Sequence, residues 1–360
     1  MHIAFLDSWF QTSAEGSGTA VAIGGLQRTL ERQSIRVSRL APQAASDHHL
    51  LRRMLFNASI PGMLHKQQYD LVIGFDIDGF LIPQIASQRI PYIVSVKGVL
   101  AEEARQERGT IRLMLWALSR LERRNARNAQ GVLATSAYCR RAISREYGVQ
   151  SEHIRIVPEG IDLARWRRIA AEDPYRGDGA TILCVARQYP RKHVADLLHA
   201  MVQVRRVVPN ARAIIVGDGP EHPALKQLAE QLNLAGCVML LGAVPDDDDV
   251  ARLYQQADIF CLPSVQEGFG IAFLEAMASG LPIVATRAAA IPEVVPDGQA
   301  GLLAAPGDQE ALALALIELL RNPERRAAMG AFGRAHVERF DWPRVAQLFL
   351  EQIQPFVRHV

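Results

Sequence analysis

The sequence predicts an α/β chain built as two doubly wound domains facing across a cleft. Three observations carry that expectation. Short apolar runs alternate with amphipathic stretches from end to end, as parallel strands joined by crossover helices require. The 360 residues, 49% of them hydrophobic, exceed what a single core normally serves. Residues 170–180 (AAEDPYRGDGA) bring Pro, Gly and charge without apolar periodicity, which reads as a linker. The expected domains are therefore 1–170 and 171–341.

Taken in order, the first series of candidate strands is Ile3–Leu6, Asp70–Phe75, Tyr92–Val96, Gly131–Ala134 and Ile154–Val157. The second is Thr181–Ala186, Ala211–Val216, Val238–Leu241, Ile259–Leu262 and Ile283–Ala285. Helical patterns fall at Val194–Val207, Pro223–Gln231, Val250–Gln255 and Gly270–Ser279. The strands are near-continuous apolar runs, the signature of sheets covered on both faces.

Composition excludes several classes. The apolar fraction rules out disorder, and 26 Gly and 19 Pro without a period rule out collagen-like order. A net charge of +2 is too small to argue for nucleic acid. No run reaches ~18 uncharged apolar residues, so no membrane span is expected. The start, MHIAFLDSWF, lacks the basic and long apolar regions of a signal peptide and reads as a first strand. Cys184 and Cys261 lie in apolar runs, and no Cys/His spacing suits zinc, so a reduced, cytoplasmic setting is expected. Charge is unevenly shared. Residues 1–172 hold 23 Lys+Arg against 16 Asp+Glu, and the remainder 17 against 22. Attraction across a cleft or merely solvated arginine-rich helices would both account for that.

The most informative segment is PSVQEGFGIAFLEAMASGLPIVAT, from Pro263. A strand end turns through Gly268 and Gly270 into a helix that Gly280 and Pro282 terminate. Glycines at a helix start let a ligand approach the backbone, and the unpaired amides there favour an anion. Glu267 precedes the helix and Glu275 lies within it, alone among Phe273, Leu274, Ala276 and Met277. Eight helical residues rise about 12 Å. Glycosidase carboxylates act across roughly 5–10 Å, so this pair is poorly spaced for acid–base work. It better suits an elongated ligand with hydroxyls at both ends and phosphate between, as in a nucleotide sugar. The phosphate needs fixed positive charge. Arg187, at a strand end, and Lys192, at the next helix start, supply it.

Residues 181–345 resemble the nucleotide-binding domain of the retaining GT-B glycosyltransferases of family 4. The resemblance rests on VARQYPRK, IVGDGPE, EGFGIAFLEAMASGLPIVAT, IPEVVPDGQAGLL and FDWPRVA. The first half is similar more loosely, through SAYCRRAISREYGVQSEHIRIVPEGIDLARW and the glycine loop EGSGTA. The resemblance implies two Rossmann-like domains, with a last helix near Trp342–Phe356 crossing back to complete the first. It implies that Arg187 and Lys192 bind the donor diphosphate and that Glu267 holds sugar hydroxyls. Gly268, Phe269 and Gly270 would present backbone amides, Glu275 would take the ribose hydroxyls, and Asp218 of Gly217-Asp218-Gly219 would lie on the donor side. Gly16 and Gly18 would approach phosphates or sugar from the first domain. The donor would be a UDP-, GDP- or ADP-sugar, with no metal and no other cofactor. The acceptor would be a glycan or lipid-linked hydroxyl of cell-envelope type, handled at the inner face of the membrane.

Two departures from the family pattern stand out. Lys97 occupies the place where a histidine is frequent, before Gly98, which makes it an acceptor-side candidate. Ala288, Ala289 and Ala290 stand where paired glycines are frequent.

Weaker signals have alternative readings. Gly16-Ser17-Gly18 imitates a dinucleotide fingerprint but lacks its third glycine. Asp76/Asp78 and the run Asp246–Asp249 could grip a metal, while helix capping also explains the second. Arginines from Arg105 to Arg127 accompany Leu113, Met114, Trp116 and Leu118, fitting either an anionic bilayer contact or a core-packed helix with a solvated face. A sugar-nucleotide-binding regulator or a nucleotide-sugar epimerase is the alternative function on this architecture.

Overall fold

Strands buried on both faces organise each half of the chain. The computed structural model describes residues 1–8, 18–42, 49–65, 67–82, 91–174 and 177–357. They form two compact units, Met1–Gly160 with Trp342–Val360, and Ile161–Asp341.

In the first unit, β1 (His2–Leu6), β2 (Arg36–Leu40), β3 (Leu71–Phe75), β4 (Tyr92–Val96), β5 (Gly131–Ala134) and β6 (Ile154–Ile156) pair in parallel. Their order is β2-β1-β3-β4-β5-β6. Every residue of β3, β4 and β5 is buried, as the apolar runs require. The helices are α1 (Gly18–Arg32), α2 (His49–Leu64), α3 (Leu100–Gln106), α4 (Gly109–Asn128) and α5 (Ala137–Tyr147). A last helix, α14 (Trp342–Ile353), packs against α1. The contact is close: a Cβ at Gly25 or Gly160 would come within 2.4 Å of the Trp342 indole.

The second unit begins with α6 (Leu163–Glu172) and holds β7 (Thr181–Val185), β8 (Arg212–Val216), β9 (Val238–Gly242), β10 (Ile259–Leu262), β11 (Ile283–Thr286) and β12 (Gly301–Ala304). All pairs are parallel, in the order β12-β11-β10-β7-β8-β9. The connecting helices are α7 (Val194–Val207), α8 (His222–Gln231), α9 (Asp247–Gln256), α10 (Ile271–Ser279), α11 (Ile291–Val294), α12 (Gln309–Arg321) and α13 (Pro323–Val337). One core of Leu197, Met201, Phe260, Phe273, Met277 and Leu316 lies between sheet and helices.

The units divide between Gly160 and Ile161, ten residues before the polar break. The reason is α6. Its Trp166 meets the Tyr254 ring edge-on at 5.3 Å, so the helix belongs to the second core. Residues after it, 175–176 of which lie outside the described residues, connect it to β7. Two strands had no counterpart in the expected set, β2 and β12, and both are edge strands. In β2 (RVSRL) only Val37 is buried, so its sequence carries little apolar signal.

Both sheets change direction once. In the first the reversal lies between β1 and β3, and in the second between β7 and β10. Loops at the carboxyl ends flanking such a switch point part to leave a crevice, the usual ligand site of an open α/β sheet.

Candidate active site

The second unit's switch point brings together the residues singled out after β7 and β10. A short 3-10 turn, Pro190–Lys192, follows β7 and places Lys192 at the rim. Lys192 Nζ donates to Glu267 Oε1 at 2.5 Å, and both side chains are largely buried. Backbone bonds hold the two loops together. Val265 N donates to Arg191 O at 2.9 Å, and Ser264 Oγ donates to the same carbonyl at 3.2 Å. Arg187 is exposed beside this turn, its guanidinium 5.9 Å from the Tyr189 ring centre. Lys192 thus ties the loop after β7 to the loop after β10 through one ion pair.

Gly270 begins the next helix with φ +96°, a conformation that L side chains rarely adopt. A Cβ there would lie 2.5 Å from the Phe273 ring. Phe269 turns its ring into the core, edge-on to Phe340 at 5.4 Å, so only its backbone is available to a ligand. Because the helix starts at Ile271, continuous helical geometry does not span Glu267 to Glu275. Helical rise from Ile271 to Glu275 accounts for about 6 Å, half the expected figure, and the glycine turn sets the rest.

Glu275 is held from below. Tyr254 Oη donates to its Oε2 at 2.9 Å, and Tyr254 is itself stacked on Phe260. Burial pushes the Glu275 carboxyl above its ordinary value, while the Tyr254 hydrogen bond pulls the other way. Sequence reasoning missed Tyr254, whose neighbours VARLYQQAD show only a helix.

Asp218 lies exposed on the loop after β8, and its Oδ1 accepts from Gly219 N at 2.7 Å. Gly217 and Gly219 leave no room for a Cβ, because Ala186 O and Gln188 O would sit 2.0 and 2.6 Å away. Gln188, also missed, ties this loop to β7 by donating from Nε2 to Gly217 O at 2.6 Å.

Gly18 is the exposed first residue of α1, and Gly16 lies outside the described residues. Lys97, just past β4, is not an isolated cation. Its Nζ lies 2.9 Å from Glu159 Oε1 and 3.2 Å from Oε2, and 5.6 Å from the Phe75 ring centre. Glu159 stands in the segment PEGID and had not been distinguished.

The acidic pairs have structural duties. Asp78 accepts from Ser8 N and Ser8 Oγ at 2.7 Å and from Asn57 Nδ2 at 3.0 Å, bridging the first unit's switch point. Burial raises its carboxyl pKa, opposed by Arg53 and these hydrogen bonds. Asp246 caps α9 by accepting from Asp248 N at 2.8 Å. The described cysteines are all free, and Cys139, Cys184 and Cys261 are buried. Among the described residues no helix is long and apolar enough to cross a membrane.

The comparisons agree on one family. Residues 167–336 match the family described as "Glycosyl transferases group 1", and residues 19–165 match "Glycosyltransferase Family 4". The GDP-mannose-dependent alpha-(1-6)-phosphatidylinositol monomannoside mannosyltransferase of Mycolicibacterium smegmatis is 34% identical over 59% of this chain, and the match spans 58% of that relative. The MMP alpha-(1->4)-mannosyltransferase of Mycolicibacterium hassiacum is 31% identical over 77% of this chain and 68% of its own length. The solved sucrose-phosphate synthase of Thermosynechococcus elongatus shares the fold at 21% identity, with TM-score 0.81 over 98% of both chains. Paired doubly wound units, a lysine–glutamate contact at the second switch point and these matches converge: the chain belongs to family 4 of the GT-B glycosyltransferases.

Proposed function

We propose that this chain moves a sugar from a nucleotide diphosphate sugar to the hydroxyl of a glycan or lipid-linked acceptor, with retention and without a metal. The observation that carries the reading is the 2.5 Å contact between Lys192 and Glu267. The ammonium holds a carboxylate fit for sugar hydroxyls, and the loop that carries it also carries the exposed Arg187 as a guanidinium for phosphate.

In the reaction, the bond between the anomeric carbon and the diphosphate oxygen breaks while the acceptor oxygen bonds to the same face. The acceptor proton passes to the leaving phosphate oxygen. Charge grows on the diphosphate, where Arg187, Lys192 and the amides of Gly268, Phe269 and Gly270 meet it. Two fixed cations take the part that a divalent metal plays elsewhere, so activity should survive chelation. Glu275 takes the ribose hydroxyls, seated on Tyr254. The carboxyl ends of the first unit's strands, with Lys97, receive the acceptor.

A membrane-borne acceptor suits α4. Leu115, Leu118 and Leu121 face the interior, yet Leu113, Met114 and Trp116 stand exposed, Leu113 by 68%. Arg112, Arg120, Arg123 and Arg127 are also exposed, and Glu122, the one carboxylate of the helix, is fully buried. Apolar side chains among cations match an anionic bilayer surface. The relative named for a phosphatidylinositol monomannoside acceptor supports the same setting, and its name puts GDP-mannose first among donors to test.

The test is a thermal-shift screen with GDP-mannose, UDP-glucose and ADP-glucose, followed by analysis of the product's anomeric configuration. The cognate donor raises Tm by mass action. A chain that none of the three stabilises would not be such a transferase.

A further inference from the structure

Only four of the 40 Lys+Arg residues are lysines: Lys66, Lys97, Lys192 and Lys226. Two of the four sit at carboxyl ends of strands, each against a glutamate. Lys192 meets Glu267 after β7 and β10, and Lys97 meets Glu159 after β4 and β6. In the first sheet β4 and β6 are separated by β5, so the Lys97–Glu159 bridge spans the end of a strand between them. Its exposure is small, with side chains 11% and 5% accessible, so both charges are partly desolvated and each depends on the other.

Carboxylates accompany the cations at these strand ends. Asp7, after β1, is paired with Arg39. Arg53 Nε donates to Ser8 Oγ at 2.8 Å, and its guanidinium lies 3.9 Å from Asp78. Asp76 adds another carboxylate, with Oδ1 accepting from Lys97 N at 2.8 Å. Asp7 thus pairs with Arg39, Asp78 lies by Arg53 and Glu159 pairs with Lys97, while Asp76 holds the Lys97 backbone. A phosphate placed here would meet an ammonium already neutralised and at least as many carboxylates as cations. An uncharged hydroxyl fares better, because it can accept from the ammonium and donate to the carboxylate at once.

We propose that Lys97 and Glu159 form a specificity-determining clamp for an uncharged, hydroxyl-bearing ring of the acceptor, and that phosphate groups are excluded from it. This rests on the reading of the first unit's strand ends as the acceptor side. Glu159 is the new residue. It turns Lys97 from a phosphate ligand into half of a neutral donor–acceptor couple.

The experiment uses the full chain with isotopically labelled lysines, whose four side-chain NMR signals are assigned with Lys97→Arg and Lys192→Arg. Methyl α-mannoside, myo-inositol, inorganic phosphate and GDP are titrated separately. The Lys97 signal should move with at least one of the uncharged rings and not with phosphate. In Glu159→Gln it should follow phosphate at concentrations at least about tenfold lower than any response of the parent, as an unpaired ammonium allows. A parent Lys97 signal that follows phosphate, or that neither ring moves, overturns the proposal. The parent titration decides the question even if Glu159→Gln folds poorly. The Lys192 signal reports separately on the donor site: its indifference to GDP would count against the transferase reading while leaving the Lys97 titration readable.

Discussion

Lys192 and Glu267 are 75 positions apart in sequence, yet their charged atoms lie 2.5 Å apart across the β7/β10 switch point. Replacing either one leaves the other partly buried without its counter-charge. It also removes a group that would touch the donor. We expect Lys192→Ala and Glu267→Ala each to lower kcat/KM by about 10²-fold or more. The double variant should lose far less than the product of the two, because contacting residues are coupled. Steady-state kinetics on the three variants check this, and additive losses would show that the two side chains act separately.

Ala289 occupies the left-handed region with φ +49°, in the alanine run that replaces the glycines frequent in the family. The next residue, Ala290, donates its N–H to Glu267 O at 3.3 Å, so the turn supports the site. A left-handed L-residue costs roughly 1–2 kcal/mol, of which glycine returns part to unfolded-chain entropy. Ala289→Gly should therefore stabilise the chain by about 0.5–1 kcal/mol, read from urea unfolding. Destabilisation would mean that the Ala289 methyl contributes packing beyond its backbone strain.

Glu122 is completely buried in the first unit, accepting from Leu100 N at 3.0 Å and from the Tyr147 hydroxyl. Burial is the main reason that its carboxyl is raised well above the ordinary 4.5, and the nearby Asp76 charge adds to the shift. The folded state thus holds a proton that the unfolded chain releases. Stability from this group is fully present below the ordinary value and declines as pH rises from there through the raised one. Glu122→Gln cannot titrate. Relative to the parent, its unfolding free energy should climb with pH across that window, and parallel pH profiles would contradict the assignment.

Trp116 and Arg120 lie together on the outer face of α4, the guanidinium 3.7 Å from the indole ring centre. If this face seats on a bilayer, replacing Leu113 and Trp116 with Ser should lower co-sedimentation with anionic vesicles. Reversing Arg120, Arg123 and Arg124 to Glu should lower it further, and neither change should affect neutral vesicles. Equal sedimentation of all variants would return α4 to a solvated arginine face.

The central strands were legible because burial on both faces leaves unbroken apolar runs. Tyr92–Val96, Gly131–Ala134 and Ile259–Leu262 stand where the sequence places them, residue for residue. The helix stop at Gly280 was equally plain, since its φ of +75° is a demand that glycine meets at no steric cost. The edge strand β2 escaped notice because one open side relaxes the need for apolar residues, as RVSRL shows. The unit boundary falls at Gly160 because Leu163, Trp166 and Ile169 of α6 all pack into the second core.

The sequence by itself determined the fold class and the family, and it nominated Arg187, Lys192, Glu267 and Glu275 as donor-site candidates, because local motifs and periodicity carry those signals. Only the tertiary structure decided which charges meet. Lys97 finds Glu159, Glu275 finds Tyr254, and Asp78 finds Ser8, across separations of 62, 21 and 70 residues. Those pairings arise from strand order, and no short stretch of chain contains the information that sets it.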